Sequence, residues 1–526
     1  MVGLYKTVGA VVMAAAAFMA DAELLMVQTL TRHGERAPDK IIAQQSCTAV
    51  WNKPKKIYKD FHALPGRLTP IGVQRMRDVG GFIRERYIDG FHWDPNFEKP
   101  EPFLKSSYQL HQGDWDFVAR EGYRQQRSMS AISLGIFPNE PVPIKVKQRR
   151  DDSALGGPAP SCGEATAKMI VDWYKSKGWA YVKQHMDDVV KPIEKMCNVS
   201  LEGLPVNAKP GGPNPHSWLG DCSDALDSAV SCDVKLPKMF NSDLHKKLTD
   251  VGFYIQEGSH YEDPKGATMF AGSFPETLLK SFEAWENTPK GKTPKKTPRA
   301  RLFSCSRELL YGLEHMFGWE VKIPNQPPGR VTSGTTFIWE LHRVKDILDP
   351  SKTGLVVKSY WWRPGQDRVQ HLQEDVALTT LRKKYESYIK KTGKWQDICD
   401  YKHFNPAHNL HDPNFINPDA VSSEEEMKLE SEANGNGKKE DNKAEAPETK
   451  PVPKKPTETK HVPEKATNSA SVISPAGQDQ VASAKSSSWF PSVFQFIFLA
   501  GLLVALFLLL PRLKPMFSRS AGYEQI

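Results

Sequence analysis

An apolar run from Leu24 to Leu30 stops at Arg32-His33-Gly34-Glu35-Arg36-Ala37-Pro38. A hydrophobic run bounded by Gly and Pro predicts a buried strand that empties into a loop. Leu68-Thr69 then opens a helical pattern through Val79, Ile83 and Tyr87, with Thr69 as the expected cap. From about Ile144 to Asp250, amphipathic helical pieces such as Ala165 to Lys175 alternate with Pro/Gly-rich loops such as Pro205 to Pro215. Gly272 to Leu279 starts an apolar-faced helix, and a Lys/Pro-rich loop follows from Asn287 to Lys296. Arg301 to Ser306 reads as a strand feeding a helix through Leu313 and Phe317. Strands at Thr336 to Leu341 and Leu355 to Trp361 and a helix from Leu372 to Ile389 complete an α/β pattern, which closes at Trp395 and Cys399.

Both ends of the 526-residue chain depart from this pattern. Residues 1–22 carry Lys6, an apolar stretch from Val8 to Ala20 and a small-residue site at Ala20 and Ala22, which together read as a secretory signal peptide. The folded unit is expected to span 23–404. From 405 to 488 aromatics become scarce and Glu, Lys, Pro, Ala and Ser dominate. Such a segment buries too little apolar surface to offset its ordering entropy, so a flexible stalk with a reach of roughly 50 Å is expected. Residues 489–510, Trp489 to Leu510, are uncharged and long enough to cross a bilayer, with Arg512 and Lys514 just beyond. The positive-inside bias leaves 511–526 cytoplasmic and the folded unit lumenal or extracellular. The tail ends in Tyr523-Glu524-Gln525-Ile526, a Tyr-x-x-hydrophobic pattern of the kind clathrin adaptors recognise in sorting to endosomes and lysosomes, with passage through the plasma membrane open.

The net charge of +8 raises the question of nucleic acid, but the basic residues are dispersed and form neither a basic arm nor a zinc-finger spacing. No nucleic-acid partner is expected. Secretion makes the seven cysteines interpretable: Cys47, Cys162, Cys197, Cys222, Cys232 and Cys399 sit in polar or loop-like settings and are expected to form three bridges. Cys305, within a strand, is expected to stay unpaired. The pairing itself is not derivable. Asn198-Val199-Ser200 is a glycosylation sequon. Neither zinc spacing nor a calcium loop is present, so no metal and no organic cofactor are expected.

The candidate chemistry lies where the first strand ends, the position at which α/β sheets hold ligands. Guanidiniums match phosphate oxygens by their fork geometry, and a neutral imidazole beside them has the lone pair needed to attack phosphorus. Arg-His-Gly-x-Arg-x-Pro resembles the signature of the histidine acid phosphatases. That resemblance implies a mixed central sheet flanked by helices, of the phosphoglycerate-mutase type, with a smaller, mostly helical cap over the cleft at about 144–250. It further implies that His33 is transiently phosphorylated while Arg32 and Arg36 bind the phosphate. Thr69, Gly72 and Arg84-Glu85-Arg86-Tyr87 resemble the family's next helix, although its Gln falls one place early at Gln74. Matching Met129-Ser130-Ala131 to the family's Met-Ser-Ala puts Arg120 on the third phosphate-binding arginine, with Arg124 and Arg127 as fallbacks.

One departure stands out. Where the family's strand ends in His-Asp, this chain has Arg307-Glu308. Arg307 keeps a donor for the phosphate, and Glu308 keeps a carboxyl that can protonate the leaving oxygen, one methylene longer. A carboxyl beside bound phosphate is expected to have a raised pKa, and Glu121 is a second candidate acid. With stalk, span and tail, the whole resembles a membrane-bound, lysosomal-type acid phosphatase acting on phosphomonoesters, with a homodimer left open. The alternative is a catalytically impaired relative serving endocytic trafficking. A superfamily mutase is disfavoured, because its substrates are cytosolic.

Overall fold

The computed structural model of the chain describes residues 22–38, 50–51, 53–90, 102–147, 155, 160–184, 186–198, 215–295, 297–345 and 353–401. The expected signal sequence (apart from residue 22), the stalk, the apolar span, the tail signal, Cys47 and the end of the sequon lie outside these residues. Among the described residues no helix is long and apolar enough to cross a membrane.

The apolar run forms β1 (Glu23–Arg32), buried from Leu25 onward, at the middle of an eight-stranded mixed sheet. On one side it runs parallel to β4 (Ala300–Cys305), which runs parallel to β2 (Trp115–Arg120) and through it to the short β3 (Lys145–Lys147). On the other side it pairs antiparallel with β5 (Thr336–Lys345), which pairs with β6 (Thr353–Trp362). Two short pieces, β7 (Gln370–His371) and β8 (Val376–Ala377), close onto β6. The register sets Arg32 beside Cys305 and Ala119 beside Ser304. The carboxyl ends of β2, β4 and β1 therefore finish together, and whatever follows each strand converges on one edge.

One face of the sheet is covered by α2 (Pro70–Tyr87) and α3 (Tyr123–Ile136), whose Met76, Val79, Ile83, Met129 and Ile132 pack on Val27, Phe117, Leu302 and Ile338. The opposite face takes α9 (Pro264–Ala271), α10 (Phe274–Glu283), α11 (Arg307–Phe317) and α12 (Leu378–Thr392) over Leu30, Phe303, Phe337 and Trp339. A third core is almost entirely helical. It joins α1 (Pro54–Phe61), α4 (Gly163–Trp173), α5 (Lys177–Gln184), α6 (Asp187–Cys197), α7 (Pro215–Ser231) and the first half of α8 (Ser242–Tyr261) around Trp51, Trp173, Ile193, Leu226 and Leu248. The short α13 (Trp395–Ile398) ends the described chain.

Several expectations are corrected. Lys145-Val146-Lys147 belongs to the sheet rather than to the helical insertion, as an exposed strand whose lysines suit an unpaired edge. The expected boundary near 250 falls inside α8, whose Phe253 and Tyr261 join the sheet-side core while Leu244 and Leu248 join the helical one. The last long helix begins at Leu378, because residues before it extend and pair with β6. The cysteines do not make three bridges. Cys162 joins Cys399 and Cys197 is also disulfide-bonded, but Cys232 keeps its thiol. Cys222 lies in α7 and Cys232 one residue past its end, about 15 Å apart along the helix rise and beyond disulfide reach of each other. Cys305 is a buried thiol, as its strand position implies.

The Cys162–Cys399 bridge spans 237 residues and ties the start of the helical insertion to the end of the folded unit. Crosslinking so long a loop restricts the unfolded chain strongly, so Cys399→Ser is expected to cost about 2–5 kcal/mol. Denaturant unfolding of the variant measures this.

Candidate active site

The motif loop is fixed by close backbone contact with the start of α2. The Thr69 N–H and hydroxyl both donate to the Glu35 carbonyl, at 2.9 and 3.1 Å, and the same hydroxyl oxygen caps α2 by accepting from the Gly72 N–H at 3.0 Å. The Glu35 carboxylate pairs with Arg75. A Cβ on Gly72 would lie 2.2 Å from the Glu35 carbonyl oxygen, and one on Gly34 would lie 2.6 Å from the Gly72 carbonyl oxygen. Only hydrogen at these positions permits the approach. Gly72→Ala is accordingly expected to cost about 1–3 kcal/mol and to displace the loop, read as a lowered melting temperature together with weakened phosphate binding.

His33 is 6% exposed. Its Nδ1 lies 2.9 Å from the Gly34 carbonyl oxygen, which can only accept, so Nδ1 carries the proton and Nε2 the lone pair. Burial first, then the charges of Arg124 and Arg32, hold its pKa well below 6.5. The ring thus stays neutral, with its lone pair available, well into acidic conditions. The Gly34 N–H donates to the Ser128 hydroxyl at 3.1 Å, which couples the loop to α3.

Arg32, at the end of β1, donates to the Val331 carbonyl at 2.6 Å. Its guanidinium converges with those of Arg36 and Arg307 on one carboxylate, Asp224 of α7. Arg36 Nη2 lies 2.7 Å from Oδ2, Arg307 Nη1 2.7 Å from Oδ1 and Arg32 Nη2 3.7 Å from Oδ1. Burial alone would raise the pKa of Asp224, but Arg307, Arg36 and Arg32 outweigh it and keep the group ionised far below the usual carboxylate range.

The third-arginine candidates separate. Arg120, at the end of β2, donates to the Ser306 hydroxyl at 2.8 Å beside Gln125, which donates to the same oxygen at 2.9 Å. Its charge bears on Glu308, whereas Arg124 one turn on bears on His33. Arg127 is exposed. Glu308 lies at the start of α11 with Oε1 3.5 Å from Arg307 Nε. Burial pushes its pKa up, but Arg307, its own backbone N–H, Arg120 and Arg32 hold it below the ordinary glutamate value of 4.5. The raised pKa expected beside bound phosphate is therefore not a property of the free site, where the arginine charges are unopposed by phosphate. Glu121 does not line the cavity, and its backbone N–H is engaged with Lys147 at 3.0 Å.

A cavity of about 320 Å³ opens onto this cluster. Its walls include Arg32, Asp224, Arg307, Glu308, His260 and Arg330, with Tyr174, Phe253 and Tyr311 as apolar surface; His33 is not among them. Among the wall residues that sequence reading missed are Asp224 and His260. Asp224 sits in Asp221-Cys222-Ser223-Asp224, where nothing local separates it from the solvated face of an amphipathic helix. His260 lines the cavity with its Nδ1 3.0 Å from the Gln256 carbonyl, again without a motif. Among the described residues no group of three His, Cys, Asp or Glu is arranged to hold a metal ion.

The fold is shared with a solved structure: the chain superposes on the phytase of Klebsiella sp ASR1 with a TM-score of 0.51 and 13% identity, covering 71% of this chain and 96% of that one. No family model matches the sequence. Among curated proteins, the venom acid phosphatase Acph-1 of Apis mellifera is 29% identical over 133 residues, 25% of this chain and 28% of its own. The testicular acid phosphatase of Mus musculus is 20% identical over 279 residues, 50% of this chain and 57% of its own. The chain thus spans at most a little over half the length of these relatives. The curated matches are acid phosphatases and the superposed structure is a phytase, in agreement with the resemblance carried by the motif.

Proposed function

We propose that this chain hydrolyses phosphomonoesters through a phosphohistidine formed on His33. The observation that carries the reading is the ring's hydrogen bond to the Gly34 carbonyl, which commits Nδ1 and leaves Nε2 as a neutral nucleophile among arginines. Arg32, Arg36 and Arg307 would grip the phosphoryl oxygens, with Arg120 or Arg124 completing the cluster. Nε2 would attack phosphorus in line as the ester oxygen leaves. Glu308, protonated once bound phosphate offsets the neighbouring arginines, would give its proton to that oxygen. Water then attacks the phosphohistidine, returning the imidazole and releasing phosphate. All of these steps use side chains of the chain itself.

The same reading assigns the site to the lumenal side of an endosomal or lysosomal membrane, supported by the signal-like start, the apolar segment 489–510 and the Tyr523 to Ile526 tail, which would engage a clathrin adaptor. A neutral His33 at acidic pH agrees with such a compartment. Rapid acid-free quenching of the full chain with a radiolabelled aryl phosphate tests the proposal: an acid-labile, base-stable label lost in His33→Ala is expected. The trafficking alternative draws support from Arg307-Glu308 and from the carboxylate resting on the arginines. Equal, negligible turnover of wild type and His33→Ala would favour it.

A further inference from the structure

We propose that Asp224 is a resident occupant of the phosphate site, which substrate must displace. The inference rests on the phosphatase reading above. Both Asp224 oxygens are engaged, Oδ1 by Arg307 and Arg32 and Oδ2 by Arg36, in the manner of two phosphate oxygens held by guanidinium forks. The three arginines come from the end of β1, the motif loop and the start of α11, and two of them flank His33 in sequence. Asp224 lines the cavity together with Arg32 and Arg307, whereas His33 is buried and is not in the lining. A phosphorus atom must come within about 3–3.5 Å of Nε2 to react, so its oxygens need the Arg32 and Arg36 guanidiniums on either side of His33 in sequence, the groups that the carboxylate occupies.

The carboxylate is carried by the helical insertion. Gly220, Ser223, Asp224 and Asp227 of α7 line the cavity at helical spacing, so one face of that helix forms the cavity wall. A tethered group competes at an effective concentration in the millimolar range or above. Any anion that takes the three guanidiniums must first displace Asp224, so removing the carboxylate relieves that cost.

Calorimetry on the full chain in detergent at pH 7.5 tests this with inorganic phosphate. Asp224→Asn is expected to bind phosphate at least about tenfold more tightly. Unchanged or weaker phosphate binding would overturn the proposal and make Asp224 a positioning residue for the arginines. Should the asparagine variant not fold, Asp224→Glu carries its carboxylate past the 2.7 Å contacts, and tighter phosphate binding is again expected. Tighter phosphate binding in a chain without turnover would leave this proposal standing while the hydrolase reading falls. Turnover with unaltered phosphate affinity would do the reverse.

Discussion

His33→Ala is expected to lower turnover of a phosphomonoester by about five orders of magnitude or more, the scale on which removal of a nucleophile acts. The fold should survive, because the ring hydrogen-bonds its own neighbour Gly34 and the loop is held instead by Thr69, Gly72 and Ser128. An unchanged melting temperature with turnover lost is therefore the predicted pair of observations. Retained turnover would mean that another group attacks phosphorus.

The second large effect concerns the acid. Glu308→Gln is expected to slow an alkyl phosphate by about 10²–10⁴, because its departing alkoxide needs a proton. A nitrophenyl ester, whose leaving group is already a stable anion, should lose about tenfold or less. A uniform loss over both esters would assign Glu308 to binding. The pH dependence follows from the same group. In the proposed mechanism Glu308 acts in its protonated form, and in the free site its pKa is held below 4.5 by Arg307 and its neighbours. That form is present below the depressed pKa and is lost as pH rises through it, so kcat/KM should fall with rising pH on the acid side of 4.5. Bound phosphate offsets the arginines and lifts the pKa, so kcat should persist to higher pH. The His33 limb lies at still lower pH than its ordinary value, since burial and Arg124 disfavour its cation.

What could be read from the sequence was local in origin. β1, its loop and the Thr69 cap follow from a run of apolar residues, two glycines and one hydroxyl, each acting on atoms a few positions away or on a contact that glycine alone permits. The Arg307-Glu308 position was also legible, because it directly continues the strand ending at Cys305. Asp224 was not, since its role depends on α7 meeting three arginines 83 to 192 positions distant, and an aspartate on a helix face has no local mark. The separate surroundings of Arg120 and Arg124 were not legible for a related reason. Both lie near the end of β2, and only the packing of α3 against the loop decides which charge reaches His33 and which reaches Glu308. The bridging error came from counting cysteines without their placement: Cys222 lies in α7 and Cys232 just past its end, out of disulfide reach of each other.

The central strand is the first to be synthesised, while its parallel neighbour, in register from Val27 with Ala300, follows about 270 residues later. At roughly 5–20 residues per second the ribosome needs on the order of 15–50 s to supply that partner. Throughout this interval a sticky ribbon ending in the Arg32-His33-Gly34 motif has nothing to zip onto. Nascent chains of this protein should therefore depend on a holding chaperone until translation has passed β5, and fragments truncated before β4 should aggregate instead of folding.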